Sequence, residues 1–222
     1  MTLLIGTISD MHVVITADGL SLVNPATGAG VGSDRFQKIF PIAGHAIAFV
    51  HHGLNILGGK PICDFIGAYI ETQGKALVTA DVKYIAEDLR SYAEQAVQKA
   101  LADRTNTGVV GFWIAGFNAA RKGKPELYEI CWPVSPVPCK HEGIVLGGDG
   151  QQFIMHYLSH SLGPFHPEGV SKYSVNFVRR YHEVLYKQAE SKQSKVGQII
   201  FGGHQHQLIL RKTGWKWVKP PT

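Results

Sequence analysis

The stretch TLLIGTISDMHVVITADG, residues 2–19, decides the fold of this 222-residue chain. Residues 3–8 and 12–17 are two apolar runs rich in β-branched residues, and the short Ser-Asp-Met between them supplies turn residues, so the pattern predicts a β-hairpin. Both runs are nearly continuous in apolar residues, which predicts strands that are covered on both faces. A hydroxyl residue, Thr2, stands at the front of this hairpin and a carboxylate, Asp18, at its far end.

Length and composition predict one globular domain over residues 1–222. A chain of this size buries roughly 70% of its unfolded surface, so it needs no metal or disulfide to fold. The three cysteines match no zinc spacing. No apolar run reaches the roughly 18 residues of a membrane span, and no signal peptide is recognised, so we expect a cytoplasmic protein without membrane contact. The net charge of +5 comes with no nucleic-acid-binding motif, and no nucleic-acid partner is expected.

Blocks of strands follow the hairpin and are separated by pairs of helices. The predicted strands cover residues 38–42, 45–50, 109–119, 126–132, 143–148, 197–203 and 207–212, and the predicted helices cover residues 61–73, 80–102, 151–162 and 174–190. A Gly-rich segment at 24–34 and the Pro-rich segment PVSPVP at 133–138 are predicted to be loops. Strands in blocks favour an α+β protein over alternating βαβ units.

Three segments resemble proteasome β-subunits, and especially their small bacterial relatives HslV, Anbu and the betaproteobacterial homologue. Residues 2–19 resemble the first hairpin of that family, and KIFPIAGHAIAFVHHG at 38–53 resembles its third and fourth strands. VVGFWIAGFNAARKGKPELYEI at 109–130 resembles the later strand pair. The resemblance is strong over the first 53 residues, fair over 109–150 and thin near the end. It implies the four-layer αββα sandwich of N-terminal-nucleophile hydrolases.

The same resemblance implies a threonine nucleophile at Thr2. A hydroxyl is a weak nucleophile that needs an adjacent base. An α-amine has a pKa of about 8, so it is partly neutral at working pH and can accept the hydroxyl proton. Removal of Met1, which a residue as small as threonine permits, would place nucleophile and base on one residue.

Further site residues follow from family positions. The resemblance implies that Lys38 is the catalytic lysine, which favours the developing oxyanion, and that Asp18 is the buried acid that holds this lysine charged and oriented. A turn at residues 51–53 falls where the family has its oxyanion-hole amide, so His52 and Gly53 are assigned there. Ser21 is a family-position assignment for substrate contact.

Two departures from the family concern support of the α-amine. The family has a serine in a Gly-Ser-Gly turn, whereas Gly148 stands at that position here. Asp149 either compensates for this serine or caps the helix that follows, and the capping role is favoured. Ser194 is the candidate match for a second serine near the last helix, whose usual acidic partner is replaced or shifted.

Each of these residues also has an ordinary structural interpretation. Many chains begin with Met-Thr, Asp18 stands in a typical turn sequence, and Lys38 resembles a solvated strand-edge charge. The histidine pairs at 51–52 and 204–206 invite a metal interpretation, but no cysteine or carboxylate completes a ligand set at the right spacing, so neither metal nor cofactor is expected.

Taken together, the pattern predicts a threonine-type endopeptidase that acts on peptides or unfolded proteins. Family resemblance implies a homo-oligomeric ring or stacked assembly, with an ATP-driven unfoldase as a possible partner. Two alternatives remain open: a catalytically inactive proteasome-like scaffold subunit, and a small-amide amidase of the same fold.

Overall fold

The computed structural model describes residues 2–24, 29–74, 76–102, 108–118, 123–160, 172–196 and 200–221. The first hairpin is confirmed. Strands β1 (Leu4–Ile8) and β2 (Val13–Ala17) pair antiparallel, with Gly6 opposite Ile15. Ser9 closes the turn, because its hydroxyl donates to the carbonyl of His12 at 3.0 Å and accepts from the amide of the same residue at 3.2 Å.

Strands and helices follow in blocks. The remaining strands are β3 (Ser21–Asn24), β4 (Ala29–Ser33), β5 (Ile39–Pro41), β6 (Ile47–Gly53), β7 (Ile56–Leu57), β8 (Lys60–Pro61), β9 (Val110–Asn118), β10 (Lys124–Trp132), β11 (Ser135–His141), β12 (Ile144–Gly147), β13 (His206–Arg211) and β14 (Gly214–Lys219). The helices are α1 (Ile62–Gln73), α2 (Ala76–Thr79), α3 (Val82–Ala102), α4 (Gln152–His160) and α5 (Val175–Val196), with a short 3-10 helix at Asp149–Gln151 before α4. Every recorded strand pair is antiparallel, which confirms the α+β class.

The contacts divide the chain into two compact units. The first comprises Met1–Gln37, Glu142–Ile209 and Lys216–Thr222, and the second comprises Lys38–His141 and Leu210–Trp215. The organisation of residues 1–222 as a single domain stays a prediction.

The first unit is organised around a five-stranded sheet in the order β12-β1-β2-β13-β14. One of its hydrophobic core clusters joins the start of the chain to helices α4 and α5 and to the segment before β13. The buried members of this core are Leu3, Ile5, Ile154, Leu185, Tyr186, Ala189, Ile200 and Phe201. The beginning of the chain is therefore held by residues that come almost 200 positions later.

The second unit contains a five-stranded sheet in the order β11-β10-β9-β6-β5. Helix α3 packs on β9, β10 and β11. Its buried residues, which include Val82, Ile85, Leu89, Ala93 and Val97, form one apolar stripe, and the helix predicted at 80–102 is confirmed. The ring of Phe49 on β6 meets Tyr69 of α1 edge-on, with the ring centroids 5.6 Å apart.

Several sequence predictions are wrong in detail. Residues 29–33, predicted as loop, form β4 and pair with β3. The Pro-rich segment was predicted as a connection, but most of it lies in the edge strand β11. Residues 200–203, part of a predicted strand, are not in a strand, and residues 197–199 of that prediction lie outside the described part. Strand β14 was not predicted.

No helix in the described part of the chain is long and apolar enough to cross a membrane.

Candidate active site

Thr2 is held at the start of the first sheet by its backbone. The residue is 2% exposed, and its carbonyl accepts a hydrogen bond from the amide of Gly150 at 2.9 Å. Gly148 has a φ of 75°, and a Cβ at this position would collide with the carbonyl of Thr2. Position 148 must therefore be glycine, which explains why no serine stands there.

Asp18 follows β2, and its side chain contacts the start of the chain. The carboxylate is fully buried, and its Oδ1 accepts from the amide of Leu3 at 2.9 Å. The Oδ2 atom accepts from the amides of Leu20 at 3.3 Å and Gly202 at 3.2 Å. Hydrogen bonds from several backbone amides to one carboxylate fix its position and orientation. Asp18 is thus not a solvated turn residue, and it is bonded to the residue directly after Thr2.

Lys38 belongs to the second unit and stands immediately before β5. Its side chain is 1% exposed and is among the largest fully buried side chains of the described residues. Its carbonyl accepts from the amide of His51 at 2.9 Å. Lysine is almost never fully buried in proteins without a specific role or partner. The strand-edge interpretation of Lys38 as a solvated charge is therefore wrong.

His52 and Gly53 lie at the end of β6, and the predicted turn at residues 51–53 is wrong because the strand continues through Gly53. His52 stands opposite Gly111 on β9, and its ring fills the space that a Cβ at that glycine would need. Gly53 has a φ of 96°, and its Cβ position is occupied by the carbonyl of Val109. Positions 53 and 111 therefore require glycine, because neighbouring atoms occupy the space that a Cβ would need.

A cluster around Glu129, which we call the Glu129 cluster, was missed by the sequence analysis. Glu129 Oε1 accepts from the indole nitrogen of Trp113 at 3.0 Å and lies 3.6 Å from Nε2 of His52. Its Oε2 lies 2.9 Å from Nε2 of His141. Burial by itself would raise the pKa of Glu129, but the hydrogen bonds of His141 and Trp113 and the nearby ring of His52 outweigh burial and hold this pKa well below its usual range. A glutamate in the middle of the strand-forming run ELYEICW was the available signal.

A second buried polar cluster, the His182 cluster, lies in the first unit. Nε2 of His182 is 2.7 Å from the hydroxyl of Thr7, and Nδ1 is 2.9 Å from the hydroxyl of Thr16. The side-chain amide of Gln207 also donates to Thr16, at 3.1 Å. Burial, with a smaller contribution from His12, lowers the pKa of His182 to about 3. The imidazole is therefore neutral at physiological pH.

The remaining candidates lie at the surface or its margin. Asp149 is exposed and begins the 3-10 helix. The cap position of that 3-10 helix is Gly148, without a side-chain cap, and the capping role of Asp149 for the following helix stays a prediction. Ser21 is half-buried at the start of β3, opposite Ser33. Ser194 is exposed on α5.

The structure thus brings Thr2 and Asp18 to one end of the first unit, while Lys38, His52 and Gly53 belong to the second unit. Among the described residues, no group of three or more His, Cys, Asp or Glu side chains could hold a metal ion. The histidine pair at 204 and 206 does not share a strand, since β13 begins at His206, although the two rings lie 5.5 Å apart.

Comparisons with known protein families and with curated proteins found no match.

Proposed function

We propose that this protein is a threonine-type endopeptidase of the proteasome-like N-terminal-nucleophile class. The observation that carries the proposal is the buried Asp18 carboxylate, which is hydrogen-bonded to the amide of Leu3, directly after Thr2. Asp18 is fully buried and joins the amides of Leu3, Leu20 and Gly202, which is more than the local bond of an ordinary turn aspartate. It suits a site in which the first residue must be held in one geometry.

In the proposed reaction, Thr2 is the first residue after removal of Met1. The Oγ1 atom attacks the carbonyl carbon of a peptide bond and gives its proton to the α-amine. The C–N bond then breaks, the leaving amine takes that proton, and the acyl group stays on Oγ1 as an ester. Water attacks the ester, the α-amine accepts a water proton, and cleavage of the C–O bond returns a proton to Oγ1.

The other residues have supporting roles in this proposal. Lys38 stabilises negative charge during the attack, and Asp18 keeps that lysine charged and oriented. The backbone near His52 and Gly53 supplies the oxyanion donor, and Ser21 contacts substrate. Burial of Lys38 supports its assignment, because a fully buried lysine needs a paired group, which the proposal assigns to Asp18.

The proposal extends to architecture and partners. It implies the four-layer αββα sandwich, a homo-oligomeric ring or stacked assembly with inward-facing sites, and a cytoplasmic location. The substrates would be peptides or unfolded proteins, which an ATP-driven unfoldase would deliver. Support for these parts comes from the resemblance of residues 2–19, 38–53 and 109–130 to proteasome-like subunits.

The proposal is tested by intact mass before and after treatment with a peptide epoxyketone. This reagent needs a hydroxyl and a free α-amine on the same residue to form its double adduct. We expect a mass without Met1 and then a shift of one bound inhibitor. Thr2→Ala should lose both the shift and all peptide turnover while the assembly stays intact, whereas Ser194→Ala tests whether the amine depends on that serine.

A second candidate, an inactive scaffold subunit, is favoured by one observation. The family serine position is occupied by Gly148, where the carbonyl of Thr2 leaves no room for a side chain, and the other candidate serine, Ser194, is exposed. Retention of Met1, or no inhibitor shift on an assembled protein, would establish the scaffold and end the peptidase proposal.

A further inference from the structure

Gln193 on α5 uses both ends of its side-chain amide to hold one short segment. Its Oε1 accepts from the backbone amides of Ile200 at 2.7 Å and Phe201 at 2.9 Å. Its Nε2 donates to the carbonyl of Phe201 at 2.8 Å. A single side chain thus satisfies three backbone groups in a segment that belongs to no helix or strand.

The same segment supplies a donor to Asp18. Gly202 gives its amide to Oδ2 of Asp18 at 3.2 Å, and its carbonyl accepts from the amide of Gly19 at 3.1 Å. The next residue, Gly203, lies so close to the backbone of Asp34 that a Cβ would collide with it. Residues 200–203 therefore run in close contact with the turn that carries Asp18.

Two kinds of interaction fix this segment: packing of the Phe201 ring and hydrogen bonds from Gln193. The ring of Phe201 lies in a hydrophobic core cluster of the first unit, where its centroid is 5.7 Å from that of Tyr186 and 6.2 Å from that of Phe153. Core packing determines where the segment lies. It does not determine which way the peptide groups point. Gln193 fixes that direction, because its Oε1 accepts hydrogen bonds from the amides of Ile200 and Phe201. The following amide, that of Gly202, is then directed to Asp18.

We infer that Gln193 is a positioning residue for Asp18, acting through the backbone of residues 200–202. The inference rests on the proposed function, because the consequence of a displaced Asp18 is a loss of turnover. The hydrogen bonds of the Gln193 side chain described above go to the backbone of Ile200 and Phe201. Its removal would free the Gly202 amide and weaken one of the hydrogen bonds that orient the carboxylate, which in turn holds the amide of Leu3.

The test compares Gln193→Ala with Gln188→Ala, which changes an exposed glutamine on the same helix. Hydrogen exchange of individual backbone amides is measured by NMR on each full-length protein. In Gln193→Ala we expect exchange to become at least tenfold faster at Gly202 and at Leu3, while Ile15 in β2 keeps its rate. Gln188→Ala should change none of these rates.

Kinetics provide the second readout. With a fluorogenic peptide, Gln193→Ala should lower kcat about tenfold and leave KM within twofold, because Asp18 acts on the reaction and not on substrate binding. Gln193→Glu keeps the acceptor for Ile200 and Phe201, so its exchange rates at Leu3 should lie between those of the wild type and the alanine variant. This variant also serves if the alanine variant does not fold.

Faster exchange at Ile200 and Phe201 with an unchanged rate at Leu3 would overturn the inference, because Gln193 would then stabilise only its own segment. The exchange result does not depend on turnover. If the wild-type protein neither binds the epoxyketone nor cleaves peptides, the proposed function fails. The exchange rate of the Leu3 amide still decides whether Gln193 positions Asp18.

Discussion

The His182 cluster of the first unit and the Glu129 cluster of the second unit bury polar groups in opposite ways. His182 is fully buried between two threonine hydroxyls, and its pKa falls to about 3 because a charged imidazole is unfavourable there. Glu129 is partly buried, yet two histidines and an indole nitrogen keep it ionised. Burial and the nearby His12 disfavour the charged form of His182, whereas hydrogen bonds to Glu129 outweigh the burial of its carboxylate, so the surroundings determine which charge state survives burial.

The largest expected effect is that of His182→Ala. The substitution leaves a cavity and removes the partner of the Thr7 hydroxyl, so the free energy of unfolding should fall by about 3 kcal/mol. Urea denaturation measures this loss, with Val184→Ala, an exposed position on the same helix, as the control. A loss below about 1 kcal/mol would mean that the cluster is not a significant part of the core.

Lowering the pH should reduce the stability contributions of the two clusters over different pH ranges. The pKa of His182 is lowered in the folded state, so the unfolded chain takes up a proton near pH 6.5 while the folded protein does not until about pH 3. Stability is therefore lost as the pH falls through this window, by about 2 kcal/mol between pH 6.5 and pH 5. His51, whose pKa is also lowered by burial and by its neighbours His52 and Lys38, acts in the same direction.

The measurement for this window is a series of urea denaturation curves from pH 7 to pH 5 on the wild type and on His182→Gln. The variant should lose less stability over the window because one titrating group is gone. Equal pH slopes for the two proteins would show that His182 has the same pKa in the folded and unfolded states, which would contradict the effect of burial on this imidazole.

Glu129→Gln should have a smaller effect at neutral pH. The amide oxygen can still accept from Trp113, but the charge that favours the histidine contacts is lost, and we expect a loss of about 1 kcal/mol. Because the pKa of Glu129 is depressed, its contribution is present above about pH 4.5 and is lost at lower pH. Thermal unfolding at pH 7 and pH 3.5 should therefore show a difference in Tm between variant and wild type that is smaller at pH 3.5. The exposed Glu142→Gln is the control.

Tyr186 provides a third case, a buried hydroxyl with no hydrogen-bond partner in the described part of the structure. Burial, and then the negative charges of Asp18 and Glu190, raise the pKa of this hydroxyl, so it stays protonated. Tyr186→Phe removes an unsatisfied polar group without changing the packing shape, and the free energy of unfolding should rise by about 1 kcal/mol. Chemical denaturation beside the exposed Tyr84→Phe checks this, and a loss of stability would reveal a partner for the hydroxyl.

Much of the fold could be predicted because it depends on local patterns. The first hairpin follows from two apolar runs around a serine-containing turn, and α3 follows from its apolar stripe. Strand β11 was missed because prolines usually exclude a strand. Here Ser135 and Cys139 pair with β10, and Pro136 and Pro138 lie between them on an edge strand, where proline is tolerated.

The sequence by itself determined the strands next to Thr2, Asp18 and Lys38, because hydrophobic periodicity is a local property. The choice of these three residues as candidates came from the resemblance of residues 2–19 and 38–53 to proteasome-like subunits. Only the tertiary structure decided what those residues contact. The partners of Asp18 include Gly202, 184 positions away, and those of His182 include Thr7, 175 positions away. No local pattern specifies which of many polar groups will meet across such a separation, since that depends on how the elements pack. Gln193 and Glu129 were missed for the same reason.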